Sequence, residues 1–557
     1  MKKGRRVVAI ILGLLLCLTL FASCKKDEPA TPTTSGTSPA QPSTSSNTGG
    51  GTSASPAAPT PSAASELEAA PPEEPGQTFR DHINVIIDAT PISVLNPFAA
   101  AGTGMSTNWA YGMIYNRLIE MREDGTYVPA LATSWSTDDY QTYIFNLRDD
   151  VTWHNGDHFT ANDVVWSWAT AVADAGGFPS WDYWMRIESA RAIDDYTLEL
   201  VTKTVNVDFY YGLSIMYCGI LNERAVAADN EKGWWVGTGA YIVTDFSSRD
   251  YVEFVRNDNY WGELPLTRTQ RWVYIPEMTT RTIMLQNGEA DICFELAETD
   301  LDIFSNDPNF IFLRAGGLNC FSLQLNQDKP LMSDHFFKLA VVHALDRDEI
   351  SLFASGDLAI MMEAGAVWGL TWPHRNNDLP VQPTDLDLAR DYLAQSSYNG
   401  EEVVLTTALP YNIRAAEAVQ QQLGRIGINV VINQLDMAGF TSATVWGENH
   451  CDMVIWANLL GASNFGYLNN FRIGAVHNRA KVQIPELEEI LLALPTMTDV
   501  NDRDAAWKRA QQIVYDDMSC IPIYRRASGI VAVAGTGGLE LPAHGLNDLR
   551  YMYILEG

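Results

Sequence analysis

The hydrophobic and polar positions along the chain predict short strands that alternate with helices. Short apolar stretches bounded by turn residues are typical of strands, and they occur at 83–88, 142–147, 196–201, 240–243, 251–255, 272–275, 290–294, 403–406, 430–432 and 521–524. Helical periodicity follows several of them, from residue 160 onward and over about 278–287, 414–426 and 502–516. Helices between hydrophobic strands predict mixed α/β lobes whose sheets are covered on both faces.

Two of the predicted helices carry terminal signals. Thr160 with Asp163 three residues later approximates a capping box at the start of one helix. Gly288 suits the end of the helix over 278–287, because glycine readily takes the left-handed conformation that terminates helices.

The first 24 residues predict export. Four basic residues precede an uncharged apolar run, 7–22, which is too short for a comfortable membrane span and ends in small residues. The tetrapeptide Phe21-Ala22-Ser23-Cys24 resembles the lipobox of bacterial lipoproteins, in which the Cys becomes the lipidated first residue after cleavage. We therefore expect residues 1–23 to be a lipoprotein signal peptide and Cys24 to be the lipid attachment site. An ordinary cleaved signal with an incidental Cys is the alternative.

Residues 24–77 predict a disordered tether. Pro, Ala, Thr, Ser and Gly dominate from residue 29 onward and no apolar period occurs, so no packed core can form. About 50 residues of such a chain span roughly 40 Å, enough to hold a folded body clear of a membrane. The predicted location is extracytoplasmic, lipid-anchored to the bacterial cell membrane.

The net charge of the folded body argues against two classes of binding partner. The chain has 37 Lys and Arg against 68 Asp and Glu, for a formal charge of −31, and its first 77 residues hold six of each sign. The whole acidic surplus therefore lies in residues 78–557. It argues against nucleic acid, whose phosphates would be repelled, and against docking on anionic lipid by charge alone. A hydrophobic content of 46% indicates a folded protein, and the length of the body predicts two or three packed units.

The sequence has no recognisable catalytic motif, since G-x-S-x-G, H-E-x-x-H and P-loop patterns do not occur in it. Gly237-Thr238-Gly239 could suggest nucleotide binding, but a strand follows it, so no helix N-terminus is available for a phosphate. His154 and His158 are four residues apart, but they lie on a turn rather than on a helix. We therefore expect them to form hydrogen bonds within the turn rather than to bind zinc. Five cysteines in the body have no metal spacing. We expect free buried thiols, no metal, no cofactor and no enzyme.

Aromatic residues are abundant, with 16 Trp and 22 Tyr. They concentrate at Trp181-Asp182-Tyr183-Trp184, at Trp234-Trp235, and at Trp446 followed by Trp456. Aromatic side chains beyond what a core needs are suited to lining a ligand cleft. Packing in the core is the alternative for any single Trp.

Nine segments, in order along the chain, carry a family resemblance. They are Leu131-Ala132-Thr133-Ser134-Trp135, Tyr143-Ile144-Phe145-Asn146-Leu147-Arg148, Trp153-His154-Asn155-Gly156, Phe159 to Val164, Gly237 to Tyr241, Arg256 to Trp261, Leu285 to Ile292, Ala340 to Arg347 and Arg550 to Leu555. Together they resemble the extracytoplasmic solute-binding proteins of bacterial ABC importers, in particular the peptide/nickel type, family 5. The last segment is similar to the oligopeptide-binding members. The resemblance covers essentially all of residues 80–557.

The resemblance implies a periplasmic-binding-protein-like α/β fold of type II, in its large peptide-binding cluster, with two hinged lobes and an extra domain inserted in the first. The implied bounds are 78–115, 221–293 and 526–557 for lobe I, 116–220 for the extra domain and 294–525 for lobe II. It also implies a monomer that captures a small solute, most readily an oligopeptide, and delivers it to the permease and ATPase subunits of an importer.

The chain departs from the family where peptide binders hold the peptide α-ammonium. They usually carry an Asp in a segment resembling W-x-x-D-x-x-x-P, whereas this chain has Leu459 at that distance from Trp456, with Asn458 beside it and Gly461 two places on. No Asp or Glu occurs in residues 453–485. A buried ammonium left without its partner costs about 3–5 kcal/mol.

Two further departures concern Ala101, where oligopeptide binders often carry a carboxylate, and Lys338, where the family commonly has Arg. Taken with the missing Asp, they point to a neutral, blocked or differently oriented ligand. An oligosaccharide or other non-peptide ligand and a peptide-sensing receptor are the alternatives within the binding class. A secreted hydrolase is the alternative from another class.

The predicted ligand contacts come from three parts of the chain. They are Ala101, Gly102 and Thr103 through the main chain, Trp181, Tyr183 and Trp184 from the extra domain, and Trp456, Asn458 and Gly461 from the opposite lobe.

Overall fold

The computed structural model describes residues 77–87, 90–99, 105–122, 126–173, 184–215, 218–296, 300–315, 320–362, 365, 374–408, 410–446, 451–458, 470–475, 477–539 and 548–556. All of them belong to one unit of the chain, residues 57–557. Among these residues, no helix is long and apolar enough to cross a membrane. The predicted signal peptide, Cys24 and most of the tether lie outside the described residues.

The described part of the chain contains 21 strands and 14 α-helices. The strands are β1 His82–Ile86, β2 Ile119–Met121, β3 Tyr127–Pro129, β4 Ala132–Ser136, β5 Thr142–Leu147, β6 Ile187–Asp194, β7 Thr197–Thr202, β8 Tyr241–Ser247, β9 Tyr251–Arg256, β10 Thr269–Val273, β11 Ile292–Phe294, β12 Phe310–Ala315, β13 Cys320–Leu325, β14 Ala359–Ile360, β15 Glu402–Thr407, β16 Asn429–Gln434, β17 Met453–Asn458, β18 Cys520–Arg526, β19 Ser528–Val533, β20 Thr536–Gly537 and β21 Tyr553–Ile554. The helices are α1 Met105–Ile114, α2 Ala161–Ala173, α3 Phe209–Ser214, α4 Glu223–Ala228, α5 Met278–Gln286, α6 Leu301–Ser305, α7 Pro330–Ser333, α8 His335–Ala344, α9 Arg347–Ser355, α10 Leu386–Leu393, α11 Pro410–Gly424, α12 Met437–Thr441, α13 Pro485–Ala493 and α14 Val500–Asp517.

Aspartate side chains begin four of these helices. Asp334, Asp346, Asp385 and Asp499 precede α8, α9, α10 and α14, and each accepts hydrogen bonds from backbone N–H groups of the first turn. Such caps satisfy donors that the helix itself leaves without acceptors.

Both terminal signals read from the sequence are confirmed. The backbone N–H of Thr160 donates to Oδ2 of Asp163 at 2.8 Å, and α2 begins at the next residue, Ala161. Gly288 follows α5 with φ of +73°, and its N–H donates to the carbonyl of Leu285.

A seven-stranded sheet in the order β12-β19-β11-β1-β10-β9-β8 organises the first lobe. β1 lies at its centre and pairs in parallel with β10 and β11, with Val85 opposite Trp272 and Ile292. These three side chains have no exposed surface. The near-continuous apolar run of β1 is what a strand buried on both faces requires.

A separate four-stranded sheet, β4-β5-β7-β6, is antiparallel throughout. In β5, Tyr143, Phe145 and Leu147 are buried, whereas Asn146 is exposed. This alternation places one face of the sheet on the core and the other in solvent. The sheet lies wholly within the predicted extra domain, residues 116–220.

A six-stranded sheet in the order β14-β18-β13-β17-β15-β16 organises the second lobe. In β17, Met453, Ile455 and Ala457 pack into a large core cluster with helices on one face. Val454 and Trp456 point to the other face, where Phe440 of α12 covers them. The sheet is therefore covered on both faces, as the sequence predicts.

Within the described residues, the chain passes twice between the seven-stranded sheet and the six-stranded sheet, and we call these two connections the crossings. β12 ends at Ala315 and β13 begins at Cys320, while β18 ends at Arg526 and β19 begins at Ser528. The bound expected at residue 294 falls before β12, yet β12 pairs with β19 in the first sheet along its whole length. An apolar run does not reveal which sheet it joins, so the strand pairing moves the proposed lobe bound to the 315–320 connection.

All five body cysteines are buried and free, as predicted. They are Cys218, Cys293, Cys320, Cys451 and Cys520. Burial raises the pKa of the thiols of Cys218, Cys293, Cys320 and Cys451. The Sγ of Cys520 donates a hydrogen bond to the Ser322 hydroxyl at 3.2 Å. Thiols of this kind are unreactive packing residues.

Candidate functional site

The two large sheets meet at the ends of strands beside the crossings. Cys320 opens β13 opposite Asn458, the last residue of β17, and opposite Arg525 of β18. In the first sheet, β11 ends at Phe294 and β12 ends at Ala315. Ligands of open α/β sheets bind beyond the carboxyl ends of strands, and β11, β12 and β17 present such ends here. We call these five residues the interlobe edge and treat it as the candidate site.

Helix α1 supplies an aromatic surface on the first-lobe side. The rings of Trp109 and Phe294 pack with centroids 4.6 Å apart and planes tilted by 42°. Both side chains are buried, and the Trp109 Nε1–H finds no acceptor among the described residues. The indole N–H groups of Trp135, Trp153, Trp168, Trp184 and Trp507 likewise have no acceptor among the described residues, so this feature does not set Trp109 apart as a ligand contact.

A second aromatic pair lies in the second lobe, near the end of β17. Trp456 is partly exposed and stacks on Phe440, with centroids 4.7 Å apart and planes 30° apart. The guanidinium carbon of Arg479 lies 5.4 Å from the Trp456 ring centroid and 5.8 Å from that of Phe440. A cation at such distances is attracted by the ring faces, so the three side chains form one stack.

The backbone around this stack is held by local hydrogen bonds. Arg479 donates from Nε to the Thr444 hydroxyl at 3.3 Å, and that hydroxyl donates to the Phe440 carbonyl at 2.9 Å. Asn478 donates to the carbonyls of Arg472 and Val482, each at 3.0 Å. The segment that carries Arg479 is thereby fixed against the helix that carries Phe440.

An ion pair links the two lobes at the second crossing. Arg526, which ends β18, lies 3.4 Å from the carboxylate of Glu295, which follows β11. Glu295 has φ of +70°, and the buried Arg281 donates to its carbonyl at 2.7 Å. Ala527 alone separates β18 from β19. Any rotation of the lobes about this crossing must act on these residues.

The predicted contacts are only partly within the described residues. Asn458 ends β17 at the interlobe edge, and Trp456 lies two residues before it. Trp184 is 1% exposed in the first-lobe core, so a ligand reaches it only if the groups that cover it move. Outside the described residues lie Ala101, Gly102, Thr103, Trp181, Tyr183, Gly461 and Leu459.

Lys338 has a packing role in the second lobe. Its side chain is buried, and its Nζ lies 3.2 Å from Asp517 and 3.3 Å from Gln327. Lys338 therefore holds α14 through Asp517.

The turn histidine and the glycine motif also pack. The His154 ring bonds the Gly239 carbonyl at 3.0 Å and the Gly237 N–H at 3.2 Å. A Cβ at Gly237 would lie 1.8 Å from the Ile114 carbonyl oxygen, so the motif permits close backbone contact with α1. Burial lowers the pKa of His154 to about 4. No cluster of metal ligands occurs among the described residues.

Sequence reasoning missed Phe440, Arg479 and Phe294. None belongs to an aromatic concentration or a recognised motif, and their partners are 16 to 185 residues away in sequence. A usable signal was the charge of the segment 453–485, which holds basic residues and no acidic one.

The comparisons with known proteins agree on one family. The model of the bacterial extracellular solute-binding proteins, family 5 Middle, matches residues 126–473. Heme-binding protein A of Haemophilus influenzae is 25% identical over 468 residues, which cover 75% of this chain and 83% of that protein. The dipeptide-binding protein of Escherichia coli K12 is 23% identical over 451 residues, with 74% and 83% covered.

A solved structure confirms the predicted fold. The periplasmic binding protein DppA of Helicobacter pylori, associated with an ABC transporter and in complex with the peptide STSA, matches with a TM-score of 0.75 at 23% identity. The match covers 86% of this chain and 98% of that one. The chain therefore has the two-lobed periplasmic-binding-protein fold.

Proposed function

Because the chain belongs to the bacterial extracellular solute-binding proteins of family 5, we propose that it captures an oligopeptide between its two lobes for delivery to an ABC importer. Solute binding for an importer, without enzymatic activity, is common to its relatives and confirms the coarser prediction. The observation that carries the proposal is the match of the family model to residues 126–473, together with a two-sheet fold in which the ends of β11 and β17 carry aromatic pairs, Trp109 with Phe294 and Phe440 with Trp456.

A peptide is the preferred ligand for two reasons. The relatives include a protein named for dipeptides and a structure solved with a peptide. An extended peptide can also pair its backbone with main-chain groups of the cleft, which gives affinity without reading side chains, while aromatic walls accept varied side chains.

Closure of the lobes follows from differential contact. A ligand that contacts both lobes only in the closed state shifts the equilibrium by the affinity it gains there. The short Arg526–Ala527–Ser528 connection supports rotation at a defined place. A micromolar Kd corresponds to about −8 kcal/mol, which suits a protein that must release its cargo to a permease.

The proposed contacts remain those predicted from the sequence. They are the main chain of Ala101, Gly102 and Thr103, the side chains of Trp181, Tyr183, Trp184 and Trp456, and Asn458 with Gly461.

Anchoring is a further part of the proposal. Cys24 as a lipid attachment site, followed by a tether, would keep a monomer near its importer. Substituting Cys24→Ser should release the protein from the membrane fraction while leaving ligand binding unchanged. Retention of the Cys24→Ser protein in membranes would contradict the anchor.

A non-peptide ligand is the second candidate. Residues 453–485 lack an acidic group to hold a peptide ammonium, and aromatic platforms with amide side chains suit sugars as well as peptides. Heme-binding protein A shows by its name that a relative takes a ligand of another class.

Native mass spectrometry of the full chain, as purified and after unfolding and refolding, tests the ligand class. A heterogeneous envelope of peptide masses that disappears on refolding is the expected result. A single defined mass, or masses spaced by a hexose, would contradict the peptide and favour a specialised or sugar-binding member.

A further inference from the structure

We infer that Val207 and Asp208 of the predicted extra domain form a latch with Pro495 and Arg503 of the second lobe, and that this latch favours closure of the lobes. The inference rests on the proposed function, because it takes the solute to be bound between the lobes. It deepens that function by naming residues that regulate the affinity for the solute without touching it.

Two contacts make up the latch. The backbone N–H of Val207 donates to the Pro495 carbonyl at 3.0 Å. Next to it, Nη1 of Arg503 lies 3.7 Å from Oδ1 of Asp208. Neither contact lies on one of the crossings, so the two surfaces separate when the lobes rotate apart.

The first-lobe half of the latch has a fixed backbone. The Asn206 N–H donates to the Tyr140 carbonyl at 2.8 Å, and the Tyr143 hydroxyl donates to the Asn206 carbonyl at 2.7 Å. Phe209, directly after Asp208, is buried in the first-lobe core and packs on Tyr143 with ring centroids 4.6 Å apart. Asp208 therefore moves with the first lobe.

The second-lobe half is also fixed in its own lobe. Leu494, directly before Pro495, shares a buried cluster with Trp507 of α14 and with Cys520. Cys520 begins β18 of the six-stranded sheet, and Arg503 lies one helical turn before Trp507 on α14. The latch therefore joins the two lobes and not two parts of one lobe.

The charged pair of the latch has the strength that reversible closure needs. The side chains of Arg503 and Asp208 are 20% and 23% exposed, so water screens their attraction less than at an open surface. Their separation of 3.7 Å is longer than that of a hydrogen bond, so the pair attracts by charge. An ion pair of this kind stabilises only modestly, which allows the lobes to open again for release.

The latch acts on affinity through the population of the closed state. When only the closed state binds, the apparent Kd is the intrinsic Kd divided by the fraction of closed protein. Contacts that exist only in the closed lobes raise that fraction. A broken latch should therefore open the ligand-free protein and weaken solute binding together.

The distance between the lobes in the refolded, ligand-free full chain tests the latch directly. Glu188→Cys on β6 and Glu489→Cys on α13 place spin labels at exposed positions on either side of it. Asp208→Lys sets two positive charges together, and like charges in contact repel. Pulsed electron resonance should show a longer mean distance for Asp208→Lys, and the double variant Asp208→Lys with Arg503→Glu should restore the original distance.

Calorimetry with the tripeptide Ala-Phe-Ala measures the effect on binding. Asp208→Lys should weaken binding about tenfold, and adding Arg503→Glu should bring the affinity back to within about twofold. Asp208 makes no side-chain hydrogen bond that caps α3, so the helix does not lose a cap. The control is Asp387→Lys, which reverses one charge of an exposed pair on α10 and should change neither distance nor affinity.

An unchanged distance in Asp208→Lys, or a longer distance that the double variant does not restore, would overturn the inference. If Ala-Phe-Ala does not bind, that result counts against the peptide proposal alone, because the distances of the ligand-free protein still decide the latch. If Asp208→Lys does not fold, as judged by circular dichroism and Tm, Asp208→Asn takes its place and should give a smaller shift in the same direction. No shift in Asp208→Asn would then overturn the inference.

Discussion

Trp456 is the single residue on which the proposed cleft depends most. It is partly exposed, lies two residues before the interlobe edge, and is held in place by Phe440 and Arg479. Buried aromatic anchors commonly contribute about 2 kcal/mol or more to binding. Trp456→Ala should therefore weaken binding of the co-purified solute about thirtyfold by calorimetry. The control is Trp235→Ala, which removes a similar aromatic side chain that packs on Phe246, and no loss of affinity is expected. Equal effects of both variants would contradict the placement.

The buried ion pairs of Glu120 should make the free energy of unfolding depend on pH. Burial opposes its ionisation, but Arg550 at 3.3 Å and Arg117 at 2.9 Å outweigh burial and lower its pKa from 4.5 to about 2. A lowered pKa stabilises the folded state above pH 4.5, by about 3 kcal/mol, and that stability is lost as the pH falls through 2. Urea unfolding should show Glu120→Gln less stable at pH 7 and the difference shrinking between pH 4.5 and 2. A difference independent of pH would contradict the ion-pair account.

The sequence indicated the surroundings of some single residues and not of others, because those surroundings are formed by distant parts of the chain. The density of aromatic residues indicated Trp456, which does lie beside the interlobe edge. The same density indicated Trp184, which is almost fully buried. Phe440 and Arg479 gave no local signal, since only the folding of β17 brings them to Trp456.

The segments around the glycine motif show how elements fit together. Gly237→Ala should destabilise the protein by about 3 kcal/mol, because a Cβ there would lie 1.8 Å from the Ile114 carbonyl oxygen and overpacking of this size is costly. The matched control is Gly424→Ala at the end of α11, where nothing lies within 4 Å of the added Cβ. It should be neutral or stabilising by about 0.5–1 kcal/mol. A Tm for Gly237→Ala equal to that of the unsubstituted protein would contradict the close contact.

Elements with a strong local pattern were predicted closely. The strand at 142–147 is confirmed to the residue, because its alternation is regular and a turn precedes it. The helix expected from 414 begins at Pro410, because proline is tolerated in the first turn of a helix. β12 was not identified, because its apolar residues lie in a stretch without a recognised motif.

At the scale of the whole molecule, the Glu295–Arg526 pair should couple the lobes. Both side chains are mostly buried, so a double-mutant cycle with Glu295→Gln and Arg526→Gln should give a coupling energy of about 1–2 kcal/mol in urea unfolding. The exposed pair Asp387 with Arg390 is the control, with a coupling near zero. Equal coupling energies for the two pairs would contradict a role at the crossing.

The two-lobed plan was predictable because the family resemblance runs through nearly the whole body, whereas the ligand was not. The resemblance fixes the order of segments and hence the sheets. It does not fix the ligand, which depends on which distant side chains the folded chain brings together, as it brings Arg479 to Trp456.

The most direct test of solute capture between the lobes is a spin-label distance across them. Glu289→Cys and Glu417→Cys place labels at exposed positions, one on each lobe, while the five cysteines of the described residues are buried. Pulsed electron resonance is then recorded for the refolded, ligand-free protein and after addition of the solute identified by native mass spectrometry. We predict a shorter and narrower distance distribution with the solute than without it. An unchanged distribution, at a concentration where native mass spectrometry shows the solute bound, would contradict capture by closure.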